Sequence, residues 1–195
     1  MNKQHLIIFE WSWKLNTVNK YKKEIEKILW WKVKLTYTWW HFLSTPSTSL
    51  WIKINNKNWN FSFEPELKIT NKKIFSQLKK EIEDTIKSWW KIFIATDNDR
   101  AGAFIAYEIV KSFNLKEKNF VRLLLTSIEK EDFLNLISWK DKSKYLEWKL
   151  DISYKEAEET RLILDKLWWY IKSPIIWEKL KDDNYMYNLI DKITQ

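Results

Sequence analysis

KIFIATDNDRAGAFIAY, residues 91–107, decides the fold. Lys91 to Ala95 is a short, mostly apolar run that reads as a buried strand. Asp97 and Asp99 follow, one residue apart. A helical pattern then places Ile105, Ile109, Val110 and Phe113 on one face. A strand that ends in carboxylates and opens into a helix is a common way to hold a metal at the edge of a parallel sheet. The plain alternative is that Asp97 ends the strand and Asp99 caps the helix. The flanking segments decide between the two.

Upstream, HLIIFE (5–10) reads as a strand ending in an acid, followed by the loop Trp11-Ser12-Trp13-Lys14. A helix is expected over 15–29, with Leu15, Val18, Ile25, Ile28 and Leu29 on one face. KVKLTYT (32–38) alternates as a second strand. Residues 39–70 look irregular: a turn with His41, then Pro46, a Ser/Thr cluster, an Asn/Lys loop and an extended FSFEPELKI. A helix over 71–87 carries Ile74, Leu78, Ile82 and Ile86. Downstream, Phe120–Leu125 reads as a strand and Glu129–Ile137 as a short helix. Near residue 140 the composition shifts to Lys, Asp, Ser and Trp, as in a linker. A helix over 154–170 follows, and Pro174 opens another. No internal repeat is present.

This alternation predicts a parallel α/β sheet flanked by helices, then a helical segment. Functional residues of such sheets gather at the C-terminal strand edge. If the first strand neighbours the one ending at Asp97, then Glu10, Asp97 and Asp99 converge. Three convergent carboxylates repel one another unless a divalent cation sits among them.

Composition narrows the class. The chain of 195 residues has no cysteine, so disulfides and thiolate metal sites are excluded. The apolar run Leu6–Phe9 is too short for a signal peptide, and no run approaches a membrane span. A soluble, intracellular protein is expected. The net charge of +8 suits a polyanionic partner, nucleic acid first and a membrane surface second. Arginine occurs at 100, 122 and 161 alone, where a planar bidentate donor could be required.

One glycine stands against fifteen tryptophans. Ordinary usage of about 7% would give roughly 14 glycines. The pairs Trp30-Trp31, Trp39-Trp40, Trp89-Trp90 and Trp168-Trp169 fall at the ends of elements, where a closing glycine or tight turn is expected. The hypothesis is that most of these tryptophans stand for glycine, encoded by UGA; UGG codons at the paired positions would end it. The loop 11–14 would then become Gly-Ser-Gly-Lys, whose backbone could approach a phosphate closely. The rival is a genuine tryptophan surface for sugars, bases or lipid headgroups, which would put indoles on faces rather than at element ends.

The residues also resemble a known family. LIIFE followed by Lys14, Trp40-His41 with Pro46, FEPELKI (63–69), ATDNDRAG (95–102), ETRLILDKLWWY (159–170), Ser173-Pro174 and Trp177 resemble segments of the N-terminal region of type IA DNA topoisomerases. That region comprises the Toprim domain, a Rossmann-like parallel sheet flanked by helices, and the start of a helical gate domain. Trp13, Trp40, Trp51 and Trp169 fall where the family has glycine, whereas Trp177 falls on a family tryptophan. The resemblance implies a Toprim domain over 1–140 and a helical segment over 141–195.

It also implies a chemistry. In the family a tyrosine of a later domain attacks a single-strand phosphodiester, while Toprim acids bind Mg²⁺ and position the phosphate. By resemblance, Glu10 is an acid near the leaving 3′-oxygen, and Glu10, Asp97 and Asp99 hold the metal. Lys14 stabilises charge on the phosphate, and His41, Arg100 and Arg161 contact DNA. The implied partner is single-stranded or underwound DNA, with no membrane, in the cytoplasm at the nucleoid. Three of these residues also have plain readings. Lys14 could be a solvated helix-start lysine, His41 a loop histidine, and Arg161 the partner of Glu158 or Asp165 on its own helix.

The chain departs from the family at several points. Ala101 and Ala103 stand where glutamates are expected, Thr126-Ser127 replaces Asn-Glu, and Leu43-Ser44 replaces a polar pair. None of the eight tyrosines lies in the nucleophile's context. The expectation is that this chain alone does not complete cleavage and religation. It is then an N-terminal part, truncated or completed by a second chain with the tyrosine domain. Otherwise it is a degenerate paralogue that binds DNA without cutting. DNDRAG also resembles the Toprim motif of primases, which keeps a primase-like or nuclease-like enzyme as a further alternative.

Overall fold

The computed structural model describes residues 4–39, 43–44, 52–57, 60–65, 67–69, 71–138, 146–147 and 152–172. His41, Pro46, Pro174 and Trp177 lie outside them. The chain divides into two compact units, Met1–Ser44 with Lys68–Glu158, and Thr45–Leu67 with Glu159–Gln195.

The first unit is built on alternation. β1 (Gln4–Phe9) and β2 (Lys32–Tyr37) pair in parallel. β7 (Ile92–Asp97) lies parallel to β1, with Phe9 opposite Ala95, and β8 (Phe120–Leu125) lies parallel to β7. The sheet order is β2-β1-β7-β8-β9, where β9 (Leu146–Glu147) pairs antiparallel with β8. Strands buried on both faces must be apolar on both, and β1, β7 and β8 are nearly continuous apolar runs.

Alternate residues feed two cores. Ile7, Phe9, Phe93, Ala95, Val121 and Leu123 face one layer, formed by α1 (Ser12–Asn19), α2 (Lys22–Leu29) and α5 (Lys130–Ile137). Leu6, Ile8, Ile92, Ile94 and Phe120 face the other, formed by α3 (Lys72–Lys87) and α4 (Arg100–Ser112). Each large apolar side chain so buried contributes about 1.5–3 kcal/mol before entropy is counted. The sandwich of helices around a parallel sheet is the α/β fold expected from the residues.

Three elements differ from expectation. The single helix over 15–29 is two helices, broken at Lys20-Tyr21. Tyr21 is buried there, its hydroxyl donating to the Ile128 carbonyl at 2.7 Å and its ring packing on Phe133. The chain turns to deliver that ring to the core. Second, residues 39–70 contain strands: β3 (Leu43–Ser44) pairs antiparallel with β6 (Lys68–Ile69). Third, the shift near 140 contains β9.

In the second unit β4 (Ile52–Lys57) and β5 (Asn60–Pro65) form an antiparallel pair. α6 (Ile152–Leu167) begins in the first unit, runs into the second and continues as a π-helical turn over Trp168–Lys172.

Candidate functional site

The parallel pairing of β1 with β7 brings the ends of both strands to one edge of the sheet. Glu10 directly follows β1, and Asp97 is the last residue of β7. Lys14 lies in the first turn of α1, four residues after Glu10. Its ammonium donates to Glu10 Oε1 and to Asp97 Oδ1, so one buried cation ties the two strand ends together. The expected meeting of the Glu10 and Asp97 strand ends is present.

Glu10 and Lys14 are almost wholly buried, whereas the Asp97 side chain is 44% exposed. Burial pushes the Glu10 carboxyl up to about 7. Desolvation is the largest cause; the Lys14 ammonium pulls the pKa down, and the Asp97 charge raises it. Glu10 Oε2 is buried with no hydrogen-bond partner. An orphaned buried carboxylate oxygen beside a half-open carboxylate is a donor set that suits Mg²⁺, which takes one or two carboxylates and completes its shell with water and phosphate oxygens.

Asp99 does something different. Its Oδ1 accepts from the Gly102 amide at 2.7 Å, capping α4, and its carbonyl accepts from the Ala103 amide at 2.9 Å. Among the described residues no group of three or more His, Cys, Asp or Glu side chains is arranged to hold a metal ion. One oxygen of Asp99 serves the helix.

The Asp97 loop is held on several sides. Arg122, fully buried in β8, donates from Nη2 to the Asp97 carbonyl at 3.1 Å and from Nε to Thr96 Oγ1 at 3.4 Å. The Asn98 amide donates to the Leu125 carbonyl at 3.0 Å. α4 starts so close to β7 that a Cβ on Gly102 would lie 2.2 Å from the Asp97 carbonyl oxygen. Beside Glu10, the Thr38 amide donates to the Phe9 carbonyl at 2.8 Å. In the sequence Arg122 stands out only as one of three arginines, with no site attached to it. Its position in the apolar strand FVRLLL is the signal that would have found it, because a charge there must have a built partner.

Arg100 is exposed in the first turn of α4, and the Lys14 ammonium lies 5.5 Å from the Trp13 ring. Arg161 donates to Asp165 one turn along α6, the pairing its spacing allowed. His41 lies outside the described residues. Ala103 is buried in the layer under the sheet, where a glutamate would need a partner. Ser127 Oγ accepts from the Glu129 amide at 3.1 Å, so this serine orders the entry to α5.

Residues 14–128 match the model of the Toprim domain. The chain is 31% identical over 141 residues to DNA topoisomerase 1 of Campylobacter jejuni, covering 72% of this chain and 18% of that protein. Its fold is similar to that of full-length topoisomerase I from Thermotoga maritima, with a TM-score of 0.63 and 25% identity over 88% of this chain and 26% of that one. The chain thus spans under a third of either relative.

Proposed function

We propose, from the premise that this chain belongs to the Toprim domain family and resembles the N-terminal Toprim region of type IA DNA topoisomerases, that it binds Mg²⁺ and a single DNA strand at the edge formed by Glu10, Lys14 and Asp97. The observation that carries this reading is the Lys14 ammonium shared by two carboxylates, one of them with a buried oxygen that has no partner. The Glu10 oxygen left without a partner and the half-open Asp97 carboxylate are the groups that a cation and a phosphate would meet at this edge.

In this reading Glu10 and Asp97 hold the metal, with Asp99 adding charge from the same loop while it caps α4. Mg²⁺ bound there supplies positive charge that positions and neutralises a scissile phosphate. Lys14 supplies a second cation at the same place, for the charge developing on the phosphate. Glu10, buried directly after β1, stands by resemblance near a leaving 3′-oxygen. Arg122 keeps the Asp97 loop in place through the main chain. Arg100, exposed at the start of α4, and the lysine excess supply strand contacts, with His41 and Arg161 as further DNA contacts by resemblance. The domain division at 140/141, the nucleoid location and completion of the reaction by a tyrosine domain belong to the same proposal.

A second reading, a Toprim protein that binds DNA without cutting it, is favoured by Ala101 and by the lack of a three-carboxylate cluster among the described residues. The two separate in a binding assay. If Mg²⁺ titrated into a complex with a single-stranded oligonucleotide gives a saturable heat that Asp97→Asn with Asp99→Asn removes, the first reading stands. Strand binding with no such heat supports the second.

A further inference from the structure

The backbone turns left-handed at four non-glycine residues among those described: Trp30 (φ 61°), Trp39 (φ 61°), Trp89 (φ 64°) and Asn114 (φ 48°). An L residue in that region drives its Cβ toward the following carbonyl oxygen. Glycine escapes the clash, and asparagine tolerates it best among the rest.

Two of the four sites close helices by the same device. After α4, the Asn114 amide donates to the Lys111 carbonyl at 3.3 Å and the Leu115 amide to the Val110 carbonyl at 3.0 Å. After α3, the Trp89 amide donates to the Ile86 carbonyl at 3.0 Å and the Trp90 amide to the Thr85 carbonyl at 3.2 Å. This crossed pair of bonds is the Schellman closure, with a left-handed residue at its centre. Asparagine takes that place readily in the first case, and tryptophan does not in the second. Trp30 ends α2 in the same left-handed region, at φ 61° and ψ 13°. Trp39 makes its turn just after β2, next to Thr38.

The indoles gain little in exchange. Trp30 is 86% exposed, Trp89 88% and Trp39 54%, so little apolar surface is buried to offset the backbone cost. The Lys118 ammonium, 5.9 Å from the Trp89 ring, makes an exposed cation–π contact of the weak kind. Gly102 is the instructive contrast. There the backbone is ordinary but a Cβ would strike Asp97, and that position is glycine. The place that needs glycine for space has it, while three places that need it for conformation carry the largest side chain.

We infer that the natural polypeptide carries glycine at positions 30, 39 and 89. The groove between Trp30, Trp31 and Lys23 beside α2 is then walled in part by an indole the native chain lacks. The contact of Trp39 with Trp11, the residue after Glu10, also disappears and leaves the sheet edge more open. The inference rests on backbone geometry and stands apart from the proposed function.

Two measurements test it. In the first, Trp30, Trp39 and Trp89 are each changed to glycine and to alanine, and urea midpoints are compared at unchanged m. Each glycine variant is expected to unfold at higher urea than both the tryptophan and the alanine forms. Alanine equal to glycine would assign the gain to the lost indole rather than the left-handed backbone, and would overturn the inference. Glycine at or below tryptophan would do the same. In the second, mass spectrometry of peptides spanning these positions in the protein from its natural cells should read glycine. Tryptophan there would overturn the inference and leave a genuine tryptophan surface for bases or sugars.

Discussion

Lys14 shows how much one side chain can carry. It is buried, and it stands between a buried carboxylate and a half-open one. Removing one partner of a buried pair leaves the other charge uncompensated, which costs several kcal/mol. Lys14→Ala is therefore expected to lower the unfolding free energy by about 3 kcal/mol in urea titration at neutral pH. It should also raise the Glu10 pKa further, because the group that lowers it is gone. Lys14→Arg, which keeps the charge, should recover part of the loss. Gly102 is the second residue-scale test. A Cβ there meets the Asp97 main chain, so Gly102→Ala should cost about 1–3 kcal/mol and shift the Asp97 loop. Glu10 and Asp97 were legible in the sequence, since each ends an apolar run. The close approach at Gly102 was not, because it exists only when α4 folds back on β7. The work of Arg122 was hidden for the same reason.

At the scale of elements, the question is whether Asp99 serves the helix, the metal or both. Its Oδ1 caps α4. Asp99→Ala should cost about 1 kcal/mol as a lost N-cap, whereas Asp99→Asn keeps an acceptor and should cost little. If Mg²⁺ affinity then falls in the asparagine variant, whose fold is intact, the carboxylate acts on the metal through charge. Element types were readable wherever periodicity was clean: the strands at 5–10, 32–38 and 120–125 and the helices at 71–87 and 129–137 are present. The break between α1 and α2 was not readable, because Val18 and Ile25 sit on one stripe and the demand comes from Tyr21 reaching Ile128. β9 escaped because a two-residue edge strand takes its pairing from β8, not from its own pattern.

For the whole molecule, two bulk properties follow from charge and burial. The net charge of +8 predicts single-strand binding that weakens steeply between low and moderate salt, since lysine–phosphate contacts release counterions. An affinity that does not move with salt would exclude strand tracking. His5 lies at the strand edge remote from Glu10, edge-on to Trp90 at 4.9 Å, and burial holds its imidazole below the ordinary 6.5. The unfolded chain then binds a proton that the folded chain refuses. Its contribution to stability is complete above pH 6.5 and is lost as pH falls below that value toward the depressed folded pKa. His5→Phe should flatten the acid limb of a stability–pH curve and leave the alkaline limb unchanged. No helix among the described residues is long and apolar enough to cross a membrane.

The central claim is that the sheet edge at Glu10 and Asp97 takes Mg²⁺ together with a strand phosphate. The most direct measurement is calorimetric titration of Mg²⁺ into the chain saturated with a single-stranded oligonucleotide, for the parent and for Asp97→Asn, at equal fold stability. A saturable one-site heat in the parent that disappears in Asp97→Asn is the predicted result. Equal heats in both proteins, or none in either, would contradict the account.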